Sequence, residues 1–125
     1  MKKLINPRMF LNVIVINQIT QIKKQYKSLI DTGAAKTFIS EKIVSELNLQ
    51  ISNAAIYSDV SGNDIKTNLY ECFFILENHT KLCKIEVATI KNRDDFDNIL
   101  GIDLLSNGEL KMKNNEFTFI VESLI

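Results

Sequence analysis

LIDTGAAKTFIS (residues 29–40) ends an apolar run in a carboxylate, Asp31, and follows it at once with Thr32-Gly33-Ala34. Leu29 and Ile30 have the character of a buried strand, so Asp31 falls at a strand end, the last place along such a run where a charge can still reach water. Gly33 tolerates any backbone conformation and has no side chain to obstruct a neighbouring backbone or a ligand. Thr32 supplies a hydroxyl that both donates and accepts. The Asp-Thr-Gly tripeptide occurs once in the chain.

Upstream, KQYKSLI (24–30) reads as the strand that delivers Asp31, and MFLNVIVI (9–16) as a strand apolar on both alternate sets; NQITQIKK between them contains the reversal. Downstream, KTFI continues briefly extended. Ser40 is placed to N-cap a short helix with Glu41 in its first turn, Ile43, Val44 and Leu47 as its apolar stripe, and Asn48 at its end. AAIYSDV and DIKTNLYECFFIL follow as strands about a hairpin tip at Ser61-Gly62-Asn63. KLCKIEVATI (81–90) is the returning strand, KNRDDFDN a polar loop, NILG (98–101) a short buried strand and DLLSNG (103–108) a helical turn. ELKMKNNEFTFIVES closes the chain as a hairpin about Asn114-Asn115. Seven or more short strands with one or two short helices predict a mainly β fold, a barrel or sandwich.

A chain of 125 residues, 46% hydrophobic and with no Gly/Ser-rich linker, is expected to form one domain over residues 1–125. Its formal charge is zero but uneven. Lys2, Lys3, Arg8, Lys23, Lys24 and Lys27 precede the first acid, so residues 1–30 carry +6 and the remainder −6. These cations are scattered through apolar sequence without interleaved aromatics, which predicts a solvated strand face and no nucleic-acid partner. The basic start and apolar stretch of MKKLINPRMFLNVIVIN lack a small-residue cleavage site and are broken by Asn12, and no window reaches the roughly 18 apolar residues of a membrane span. No membrane partner is expected.

If Leu76 pairs with Lys81, Cys83 faces Phe74 and Cys72 faces Ile85, which makes the thiols diagonal neighbours about 7 Å apart, too far for easy bridging. Two free, buried thiols fit a reducing, cytoplasmic setting. His79 has no second ligand at metal spacing, and no Gly or bidentate Glu follows Asp94, Asp95 and Asp97, which read as a solvated turn. No metal and no cofactor are expected.

The order I-D-T-G-A, an apolar-striped helix, a Gly-tipped hairpin and then I-L-G-x-D-L-L (99–105) resembles the retropepsin-like aspartic proteases from about residue 9 to 121, especially the cellular DNA-damage-inducible members and bacterial single-domain retropepsins. The resemblance implies a closed β barrel and an aspartic endopeptidase. It implies that Asp31 is the catalytic aspartate, that the Thr32 hydroxyl locks two active-site loops together across a dimer, and that Gly33, Ala34 and Ala35 line the substrate's main chain. It places Ile99-Leu100-Gly101 beneath the active-site loop and makes residues 57–65, with Ser61, Gly62 and Asn63 at the tip, a substrate-binding flap. Retroviral members have an ion pair where this chain has Ala35 and Ile102. Asp103 reads as a helix N-cap, and Tyr57 and Tyr70 as packing residues.

With one Asp-Thr-Gly per chain, the two carboxylates of such an enzyme require a second copy related by a two-fold axis. The cationic N-terminal strand region and FTFIVESLI are the candidate interface strands. The partners expected are therefore a polypeptide substrate and a second copy of the chain. The competing reading is a peptide-binding or assembly module of the same fold that does not cut.

Overall fold

Alternating apolar side chains that need an interior, joined by turns rich in Asn and Gly, dictate a curled sheet, and the sheet closes on itself. The computed structural model describes residues 9–58, 60–114 and 116–121, the last without its side chain. Its strands are β1 (Phe10–Ile16), β2 (Lys23–Ile30), β3 (Phe38–Ser40), β4 (Ile51–Ser58), β5 (Asp64–Leu76), β6 (Cys83–Ile90), β7 (Asn98–Leu100), β8 (Gly108–Lys113) and β9 (Glu116–Val121). The helices are α1 (Glu41–Glu46) and α2 (Ile102–Leu105). Within the sheet order β1-β2-β7-β3-β6-β5-β4, an added β1–β5 pairing joins six strands into a closed barrel and leaves β4 outside the ring as a hairpin arm of β5.

Two pairings in the ring are parallel, β2–β7 and β3–β6, and the rest are antiparallel. The parallel β2–β7 register sets Ser28 beside Asn98, Leu29 beside Ile99 and Ile30 beside Leu100, and so brings the end of β2 against the segment that runs into Gly101. Val13 and Val15 of β1, Tyr26 and Ile30 of β2, Ile39, Phe74, Leu76, Val87 and Leu100 fill the barrel. Ile43 and Leu47 of the α1 region, Leu104 of α2 and Phe119 of β9 close it. β1 is buried on one alternate set only: Val13 and Val15 face inward, while Phe10, Asn12, Ile14 and Ile16 are half-buried. Lys23 and Lys27 lie on the outward set of β2, and Lys24, on the inward set, is exposed at the strand's start. Lys2, Lys3, Arg8, Asn115 and the end of the expected C-terminal interface strand lie outside the described residues.

Three local expectations change. Ser40 stands at the N-cap of α1 with extended backbone, but its hydroxyl donates to the Asp97 carbonyl instead of capping. β4 begins at Ile51, three residues before the expected start, because Ile51 and Asn53 pair with Tyr70 and Leu69 across a register shift despite the weak strand preference of Ser and Asn. Asp97 is not part of a solvated turn. Its carboxylate takes the Lys42 ammonium at 2.7 Å and the Lys27 backbone N–H at 3.0 Å, and ties α1 to β2.

The β5–β6 register sets Cys72 opposite Ile85 and Cys83 opposite Phe74, and both thiols are buried and free. Burial, with the Glu71 carboxylate adding to it, pushes the Cys72 thiol up to about 12; burial also raises that of Cys83, against the opposing Lys81 charge. A thiol held neutral in the fold contributes stability that is whole below the ordinary value of 9.0 and is lost as pH rises from there toward about 12, because the unfolded chain ionises first. The urea midpoint is therefore expected to fall between pH 8.5 and 10.5, and Cys72→Ala, with no proton to lose, should flatten that part of the slope. An equal slope in the variant would refute the assignment. At neutral pH a thiol reagent should label both cysteines only on unfolding.

Candidate active site

β2 carries Asp31 out of the barrel, and the loop that follows is held by backbone hydrogen bonds to the segment after β7. The Asp31 N–H donates to the Leu100 carbonyl (3.1 Å), and the Ile102 N–H donates to the Ala34 carbonyl (2.8 Å). Inside the loop, the Gly33 N–H donates to Asp31 Oδ1 at 2.9 Å, and the Ala34 N–H to the Asp31 carbonyl at 3.1 Å. Asp31 is half-buried, Thr32 and Gly33 are exposed, Ala34 is half-buried and Ala35 exposed. A Cβ on Gly33 would lie 3.2 Å from Asp31 Oδ1, so glycine keeps the space beside the carboxylate open. Asp31 Oδ2 has no hydrogen-bond partner among the described residues.

Gly101 is needed for room and not for conformation. Its φ of −94° is ordinary, yet a Cβ there would sit 2.5 Å from the Lys36 carbonyl carbon and oxygen and 2.8 Å from the Ala34 oxygen. The two segments cross at van der Waals distance. At the two positions expected to lack an ion pair, Ala35 is exposed, Ile102 is 50% exposed, and the backbone bond from Ile102 to Ala34 joins the segments.

Asp103 does not N-cap α2. Gly101 holds that position, and Asp103 is the second residue of the helix. Its carboxylate accepts the Thr37 hydroxyl at 2.7 Å on Oδ1 and the Thr37 backbone N–H at 3.1 Å on Oδ2. Oδ1 also accepts the Leu104 N–H at 2.8 Å, and the Thr37 hydroxyl in turn accepts the Gly101 N–H at 3.1 Å. Thr37, wholly buried, is the site-region residue that sequence reasoning passed over. The one signal available was its position six residues after Asp31, a hydroxyl directly before the apolar Phe38 and Ile39.

Ser61, Gly62 and Asn63 sit together at the end of the β4–β5 hairpin, an arm supplied by a different part of the chain from the Asp31 loop. Gly62 has φ +82°, the left-handed region where other residues are strained, and a Cβ there would meet nothing. Val60 is fully exposed, and the Ser58 hydroxyl donates to Asp64 Oδ1 at 3.2 Å at the base of the tip. Tyr70 is half-buried against the core, as a packing residue should be, whereas Tyr57 is 46% exposed on the arm. With so little apolar burial, amide exchange at residues 60–63 is expected to be among the fastest in the sheet and to slow when a peptide fills the groove. Exchange unchanged by saturating peptide would remove the flap role.

Among the described residues, no three His, Cys, Asp or Glu side chains are grouped to hold a metal ion, and no helix is long and apolar enough to cross a membrane.

The family model described as gag-polyprotein putative aspartyl protease matches residues 18–107, which includes both crossing segments and the hairpin arm. No curated protein matches the sequence significantly. Among solved structures, the retroviral protease-like domain of Ddi1 from Leishmania major aligns with a TM-score of 0.51 at 16% identity, over 88% of this chain and 87% of that one. A retropepsin-like aspartic protease from Rickettsia conorii aligns with a TM-score of 0.49 at 14% identity, over 92% and 93%. At its identity, the first likeness bears on the fold alone, a retropepsin-like barrel.

Proposed function

The chain belongs to the gag-polyprotein putative aspartyl protease family, and from that premise we propose that it is an aspartic endopeptidase, residues 1–125 acting as one catalytic domain that works as a homodimer. The observation that supports this most is the setting of Asp31: a half-buried carboxylate at a strand end, one oxygen held by the Gly33 N–H, in a loop fixed from below by Leu100 and Ile102.

Two Asp31 carboxylates brought to about 3 Å cannot both ionise, so the pair shares one proton. The ionised member takes a proton from a water molecule as that water attacks the scissile carbonyl. The protonated member donates to the carbonyl oxygen, and proton return to the amine then expels the leaving chain. Thr32 would tie the two loops across the axis, Gly33, Ala34 and Ala35 would line the substrate main chain, and Ser61, Gly62 and Asn63 would close over it. The substrate is a polypeptide. A nucleic-acid role is disfavoured because two of β2's three cations are engaged: Lys24 pairs with Glu46 at 2.7 Å and the Lys27 ammonium stands 4.2 Å over the Phe10 ring. The two buried free thiols suit a cytoplasmic setting.

Sedimentation across a dilution series, together with digestion of a diverse peptide library between pH 4 and 7, tests the reading. A concentration-dependent dimer that cuts peptides is expected, with weak self-association because the charged pair is absent at Ala35 and Ile102. A protein that stays monomeric at high concentration with peptide present sinks the shared site. A dimer that binds peptides without cutting them would be a binding or assembly module.

A further inference from the structure

Ala35 and Ile102 leave the crossing of the two loops without a charged pair, yet the crossing is not left to backbone contacts alone. We infer that Thr37 and Asp103 form a clamp inside each protomer that sets the position of the Asp31 loop, and that both are positioning residues for the activity proposed above. The clamp reaches three backbone N–H groups. The Thr37 hydroxyl accepts from Gly101 (3.1 Å), and Asp103 accepts from Thr37 itself (3.1 Å) and from Leu104 (2.8 Å). The Thr37 hydroxyl closes the circuit by donating to Asp103 Oδ1 at 2.7 Å.

The chemistry requires these residue types. Gly101 carries no side chain because Lys36 and Ala34 press on it, so whatever fixes it must bind its backbone, and the Thr37 oxygen does. The two backbone N–H groups that meet Asp103 do so on different oxygens. Asn at that position would turn its NH2 toward one of them in either orientation, so only an acceptor-only carboxylate satisfies both. Thr37 is wholly buried, so a hydroxyl lost from it leaves the Gly101 N–H without its acceptor and Asp103 Oδ1 with the Leu104 N–H alone. Because every member lies in one chain, the loop is set before two copies meet.

The test uses the intact protein with Thr37→Val, which keeps the shape and removes the hydroxyl, Thr37→Ser, which restores it, and Asp103→Asn. Amide exchange of Asp31, Gly33, Ala34, Gly101 and Ile102 is expected to quicken about tenfold or more in Thr37→Val and Asp103→Asn, with the β1–β2 ladder unchanged and Thr37→Ser near wild type. In the same variants kcat should fall about 10–100-fold with KM little changed, the signature of a displaced catalytic group. Wild-type exchange at those amides in both disrupting variants overturns the clamp, and so does quickening spread evenly over the barrel, which would mean lost global stability only. If Thr37→Val does not fold, Asp103→Asn decides. The catalytic arm rests on the proposed function: a wild-type protein that cuts no peptide defeats that proposal, while the exchange arm still decides the clamp.

Discussion

Asp31→Asn is expected to reduce peptide cleavage to background while the barrel and the dimer persist. The substitution preserves size, and the Asn carbonyl oxygen can accept the Gly33 N–H as Asp31 Oδ1 does at 2.9 Å. It cannot act as a base, and it removes the shared proton on which the division of acid and base depends. Loss of general acid–base catalysis costs about 10²–10⁴ in rate, and because in the proposed homodimer the substitution would remove both carboxylates, the upper end of that range or beyond is expected. The melting temperature should hold, since Asn fills the same space and keeps the hydrogen bond from the Gly33 N–H. Steady-state cleavage and a thermal melt on one preparation decide it. Unfolding would make Asp31 a structural residue, and wild-type cleavage by a folded variant would place the chemistry elsewhere.

Gly101→Ala should be strongly destabilising for a single added methyl group. The new Cβ would lie 2.5 Å from the Lys36 carbonyl carbon and oxygen, inside the 3.0 Å that such contacts keep. The opposing atoms are backbone, so no side chain can rotate away. Relief requires pulling the Asp31 loop off the segment beneath it, at the expense of the Asp31–Leu100 and Ile102–Ala34 bonds. Overpacking of this kind costs about 3 kcal/mol, which for a domain of this size lowers Tm by on the order of 10 °C. Gly62→Ala supplies the contrast: a Cβ there meets nothing, φ is +82°, and the cost is the roughly 1 kcal/mol of an unfavourable backbone region. A Gly101→Ala protein as stable as wild type would show that the crossing can open by more than these distances allow.

The strands and turns were legible because their signals are local and repeat, whereas the choice of barrel over sandwich came from the family resemblance. The β-branched runs, Asn48 and Asn114, both at positive φ, and the pairing that put Cys72 opposite Ile85 could all be read without knowing what lay across the sheet. Asp31, Gly33 and Gly101 were visible as a pattern for the same reason, since each stands in a short motif. What escaped was set by partners distant in sequence. Asp103 looks like a capping residue until Thr37, 66 residues earlier, is seen to take both of its oxygens. Ser40 has the right position and backbone for a cap, and only the Asp97 carbonyl 57 residues on explains where its hydroxyl goes. Asp97 reads as one acid among several in a polar loop, and Lys27 and Lys42 make it a joint. No periodicity encodes such pairings.

The parallel seating of β7 beside β2 also has a kinetic meaning. Ser28 and Asn98, neighbours in that ladder, are separated by 70 residues of chain, whereas β5 and β6 meet through a short turn. Contacts between segments so far apart carry the larger loop-closure entropy and form late. On the ribosome the order is stricter still, because the β5–β6 hairpin is complete before residues 98–103 have been synthesised. The Asp31 carboxylate therefore emerges early and waits, without the floor that positions it, until residues 98–103 have followed. Whatever the Asp31 loop does, it can do only once the segment that fixes it has joined β2.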